Sequence, residues 1–71
     1  MEAKEIKLLS QLLAEGHCVC LKNVIVCAKE VPEDVVACQN CEMLEKCDMT
    51  ICDICAETDA ITHRKNILVM C

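Results

Sequence analysis

At 71 residues, with nine cysteines and no phenylalanine, tyrosine or tryptophan, the chain is too short for two separate cores and must build one from aliphatic side chains. Its longest unbroken apolar runs, residues 24–28 and 67–71, hold five residues each, against the roughly 20 that a membrane span needs. The net charge of −5 is concentrated: nine of the 12 acids lie in residues 30–59 beside one base, Lys46, a segment of net charge −8 that repels a phosphate backbone.

Taken in order, residues 2–15 read as an amphipathic helix. Ile6, Leu9 and Leu13 fall at helical spacing, and Leu8 and Leu12 widen the stripe. Gly16, the single glycine, suits the position just past a helix end where positive φ is needed. Leu9, Leu12 and Leu13 also match the LxxLL pattern of docking helices, against the plainer reading that they pack on the hairpin that follows. Residues 17–28 read as that β-hairpin, turning at Lys22-Asn23. A two-residue turn sets Leu21 opposite Val24 and Cys18 opposite Cys27. Cys18, Cys20, Ile25 and Cys27 then share one face, and Val19, Leu21, Val24 and Val26 the other. Both faces are apolar, so both are expected to be covered. Residues 29–37 connect, with Pro32 opening one helical turn. A second helix is expected over residues 51–64, with Thr50 and Asp53 forming a capping box and Ile51, Ile54, Thr58 and Ile61 giving the period. Residues 65–71 suit a last strand pairing with the hairpin.

Five of the nine cysteines fall in residues 38–55. Cys38-Gln-Asn-Cys41 and Cys52-Asp-Ile-Cys55 are two C-x2-C pairs, the spacing that sets two thiolates on one side of a small ion. Cys52 and Cys55 fall in the first turn of the expected helix, where free N–H groups and the dipole favour thiolate. The metal ligands are therefore expected to be Cys38, Cys41, Cys52 and Cys55, holding Zn2+, with Cys47 a small buried hydrophobe. A compact alternative uses Cys38, Cys41, Cys47 and Cys52, and a binuclear one uses six cysteines, Cys38, Cys41, Cys47, Cys52, Cys55 and Cys71. Cys18, Cys20 and Cys27 read as core thiols; a Cys18–Cys27 disulfide and a second metal site with His17 are the competing readings. His63 reads as a surface residue.

The turn-borne pair facing a helix-start pair resembles treble-clef and zinc-ribbon-type sites. The order of helix, hairpin, C-x2-C, Cys47-Asp48, C-x2-C and last strand resembles small uncharacterised cysteine-rich zinc-binding proteins of bacteria and phages. That resemblance implies an intracellular zinc miniprotein, a phage-encoded or bacterial regulator, and carries no catalytic residue across.

The fold expected is thus small α+β in a single domain, residues 1–71. It has an N-terminal helix, a two- or three-stranded antiparallel sheet and a four-cysteine metal-bound lobe, residues 38–64, ending in a helix. No secretory signal is visible at the N-terminus, so a reducing, cytoplasmic setting is expected. No set of residues points to an enzyme. The absence of aromatic stacking platforms, added to the acidic patch, argues against nucleic acid. The role expected is contact with a protein partner, a second copy of the chain being one candidate. An iron–sulfur or thiol redox protein, and a disulfide-stapled secreted factor, are the alternatives.

Overall fold

The computed structural model describes residues 2–71. In chain order it holds α1 (Ala3–Ala14), β1 (Val19–Leu21), β2 (Val24–Glu30), α2 (Ala37–Asn40), a 3₁₀ turn (Leu44–Lys46), α3 (Met49–Thr62) and β3 (Asn66–Met70). This is the small α+β fold expected, with three strands in the order β1-β2-β3, all antiparallel.

Local chemistry sets each boundary. Gly16, at φ +91°, ends α1. Its N–H bonds to Leu13 O at 3.1 Å and that of His17 to Leu12 O at 3.0 Å, the paired bonds of a Schellman cap. Lys22 and Asn23 both take positive φ, 49° and 66°, so the hairpin closes through a two-residue type I′ turn. Leu21 therefore faces Val24, and Val19 faces Val26. β2 runs on to Glu30, past the expected hairpin end, because β3 supplies a second partner: Cys27 faces Val69 and Glu30 faces Asn66. Pro32 opens a β-turn rather than a helical one, with Val35 N–H bonded to Pro32 O at 3.1 Å.

Helix α3 starts at Met49, two residues before the sequence reading, because the cap is Asp48 and not Thr50. The Asp48 carboxylate accepts the N–H of Ile51 at 3.1 Å. Lys22, in the hairpin turn, forms an ion pair with the same carboxylate and so ties that turn to the head of α3. His63, at φ 56°, stops the helix and is exposed. Asn66 then donates from its backbone and its side chain to Asp59, fixing the start of β3.

The core lies between one sheet face and the two long helices. Val19, Leu21, Val26 and Leu68 from the sheet meet Leu13 of α1, Ile51 and Ile54 of α3, and Met43. The principal partner of α1 is α3 rather than the hairpin. At the crossing, fully buried Ser10 donates its hydroxyl to Ile54 O at 3.1 Å. The α1 stripe is thus centred on Ser10 and Leu13, and Leu8 is 58% exposed. The leucines of the LxxLL motif pack on this core, Leu13 within it and Leu9 and Leu12 against it.

The second sheet face is not covered as the sequence reading expects. Cys18, Cys20 and Ile25 are exposed and Cys27 is half-buried, because both long helices pack on the other face. The segment between α2 and α3 instead runs beside the outer edge of β3. There Glu42 N–H bonds to Leu68 O at 3.2 Å and the Glu42 carboxylate accepts Met70 N–H at 2.6 Å. Met43, with no exposed surface, is driven into the core beside this edge. A strand edge that could recruit another chain is thereby blocked. Among the described residues, no helix is long and apolar enough to cross a membrane.

Candidate metal centre

All nine cysteines are free thiols; eight of them fall into two groups, and Cys20 stands exposed outside both. The first is the lobe. Cys38 lies on α2 and Cys41 caps its end, Cys47 follows the 3₁₀ turn, and Cys52 and Cys55 lie on α3. These five line one cavity of about 200 Å³, together with Asp59 and Ile67. The two C-x2-C pairs therefore line one hollow, but no three of the lobe sulfurs lie within 4.8 Å of one another, so the expected ligand set of Cys38, Cys41, Cys52 and Cys55 is not closed to metal-binding distance. The same hollow takes in Cys47, whose Sγ lies 3.6 Å from that of Cys52, close to the ~3.8 Å separation of two thiolates on one tetrahedral zinc. Cys47 is half-buried: it packs against the core as the sequence reading expects and also lines this cavity. Cys41 points its thiol at Leu68 O, 3.4 Å away, which joins the lobe to β3.

The early start of α3 moves Cys52 and Cys55 two residues, about half a turn, deeper than expected. Cys52 N–H is already bonded to Asp48 O at 3.0 Å. Free N–H groups of the first turn are thus not what these thiols meet. The Cys52 sulfur lies instead against that of Cys47. Burial, and then the hydrogen bond and charge of Cys52, push the Cys47 thiol up to about 11. Burial first, then Cys41, Asp59, Cys47 and Cys52, push Cys55 up to about 12. The cause is physical crowding: each added thiolate must ionise against its neighbours in a partly desolvated hollow. A cation placed among them reverses that sign.

The second group is on the sheet. Cys18 precedes β1, Cys27 is within β2 and Cys71 follows β3. Their sulfurs all lie within 4.8 Å of one another, and among the described residues no other set of three or more metal-type ligands is so close. The Cys18 and Cys71 sulfurs are 2.9 Å apart. Hydrogen bonds with Cys18, and then with Cys27, push Cys71 up to about 12. The geometry of this group could hold a metal ion. It also removes Cys71 from the lobe, so the binuclear set of the sequence reading is not assembled.

Sequence reasoning paired Cys18 with Cys27 but missed Cys71. The signal was the register. Once the type I′ turn fixes β1 on β2, pairing β3 antiparallel to β2 places Cys71 beside Ile25, with its N–H on Ile25 O at 3.0 Å. Of the other two residues weighed as ligands, His17 lies 3.8 Å from the Glu15 carboxylate and His63 is at the end of α3. No protein-family model, curated protein or solved structure matches this chain.

Proposed function

We propose that the protein is a small structural-zinc module acting through protein–protein contact. Its zinc is held in the lobe by Cys38, Cys41, Cys52 and Cys55. The observation that carries this reading is the shared cavity: residues from α2 and α3, up to 17 positions apart, deliver both C-x2-C pairs to one hollow beside the core. Four thiolates are a full ligand set for a closed tetrahedral zinc, which leaves no open position for catalysis and favours a structural role. Helix α2 itself contributes nothing to the core: it has four residues and none of them is buried. An ion joining α2 to α3 supplies the missing cross-link. Such ligand-ready thiols belong in a reducing compartment such as the cytoplasm.

The contact surface is the lobe itself. Glu42, Glu45, Asp48 and Asp53 are exposed there, with Val36, Leu44 and Met49 as exposed apolar residues among them. Four thiolates outweigh one divalent cation by two charges, adding to this acidity. A partner with a basic face fits such a surface, and its association rate falls as salt rises.

Native mass spectrometry with elemental analysis tests the metal. One colourless zinc is expected on the lobe, lost in serine variants of Cys38, Cys41, Cys52 and Cys55 and retained in Cys47→Ser. Loss in Cys47→Ser with retention in Cys55→Ser transfers the site to the compact set. Visible absorption from bound iron would refute zinc in favour of an iron–sulfur cluster.

A further inference from the structure

The lobe leaves a separate observation unexplained: three cysteines converge outside it, one preceding β1, one within β2 and one following β3. We infer that Cys18, Cys27 and Cys71 form a second metal site that takes a soft d10 cation, zinc or cuprous copper, with a further coordination position open to solvent.

The convergence is built by the fold. Cys18 and Cys71 are 53 residues apart in sequence, yet their sulfurs are 2.9 Å apart. The I′ turn at Lys22-Asn23 sets Cys18 against Cys27, and the β2–β3 register brings the chain back so that Cys71 N–H reaches Ile25 O. All three sulfurs lie within 4.8 Å of one another. Three thiolates around one ion at ~2.3 Å stand ~3.8–4.0 Å apart, so the existing triangle needs only small adjustments. Cys18 and Cys71 lie just outside the strands and are the two that can make them; Cys27 is held within β2.

The donor set selects the ion. It contains sulfur and no oxygen or imidazole, which disfavours calcium and magnesium and favours zinc or cuprous copper. Three protein ligands leave a position that a closed four-cysteine site lacks. Exposure has the same consequence: Cys18 and Cys71 are exposed and Cys27 half-buried, so an ion there is open to exchange with a chelator or a partner's ligand. The inference does not rest on the lobe binding zinc.

The test is an anaerobic titration of the reduced full chain with Zn(II) and, separately, with Cu(I), each against a competing chelator, with stoichiometry read by native mass spectrometry. The chain is expected to take up one equivalent more, of either ion or of both, than the variant Cys18→Ser/Cys27→Ser/Cys71→Ser. Cys20→Ser, at the neighbouring exposed thiol of β1, is expected to leave that equivalent in place. If the triple variant does not fold, Cys71→Ser decides: with its far-ultraviolet dichroism intact, its affinity at this site is expected to fall about tenfold or more. Equal uptake by the chain and a folded triple variant, undiminished affinity in Cys71→Ser, or loss of the equivalent in Cys20→Ser overturns the inference. So does peptide mapping that finds Cys18 joined to Cys71 in the anaerobic, reduced chain. Failure of the lobe reading looks different: the triple variant then binds no zinc, while the unmodified chain still binds one ion.

Discussion

Ser10 shows how one small polar residue places a helix. It lies between Leu9 and Gln11, yet it is the side chain at the α1–α3 crossing and is wholly buried. A longer side chain there would force the two helices apart. Its hydroxyl bonds to Ile54 O, which also accepts the Thr58 hydroxyl at 2.7 Å. Ser10→Ala therefore leaves no orphaned acceptor and is expected to cost only about 0.5–1.5 kcal/mol in a denaturant titration. Ser10→Leu adds volume with no room for it and is expected to cost about 1–3 kcal/mol or more. Equal losses would show that the site is held by the hydrogen bond and not by close approach. Met43 makes the complementary point: in an acidic, cysteine-rich stretch, it is a principal core residue, buried completely because the lobe folds back along β3.

At the scale of elements, the head of α3 joins local capping to long-range electrostatics. The Asp48 carboxylate is held below the ordinary 3.8, first by its hydrogen bond with the Lys22 ammonium and then by the N–H of Ile51. Because the folded state favours the ionised form, the contribution is whole above the unfolded value. It is lost as pH falls through the lower folded value. Asp48→Asn keeps a capping oxygen but loses the charge. Thermal melts from neutral to strongly acid pH should therefore show Asp48→Asn less stable than the unmodified chain at neutral pH. The gap should close as the pH drops below the carboxyl range. A gap independent of pH would mean that the Lys22 pair adds nothing. The existence of α3 and its stripe at Ile51, Ile54 and Thr58 were legible in the sequence; Ile61, expected to continue that stripe, is exposed. The cap of α3 was not legible. Asp48 and Thr50 are both good capping residues, and only the hairpin turn, which brings Lys22 to Asp48, distinguishes them.

For the whole molecule, the balance between core and lobe matters most. Eight residues form the buried cluster, none of them aromatic, in a chain of a size that is marginal without a staple. If zinc links α2 to α3 as proposed, binding energy is folding energy, with apparent values of about 10–16 kcal/mol in small zinc peptides. Chelation at neutral pH under reducing conditions should then remove the cooperative thermal transition, and added zinc should restore it. A transition unchanged by a strong chelator would show that the aliphatic core is sufficient, leaving the lobe thiols without a structural role.

The sequence by itself determined the periods and the punctuation: two helices, a hairpin at Lys22-Asn23, a final strand, and C-x2-C pairs each set in a single turn. These are local properties, governed by side-chain spacing and backbone preference over a few residues. The tertiary structure decided which faces are buried, that Met43 enters the core, that Cys47 joins the lobe cavity, and that Cys71 meets Cys18 and Cys27. Those outcomes depend on strand register and on which sheet face the helices choose. Register and packing are set by the sum of many distant contacts rather than by any one stretch of chain.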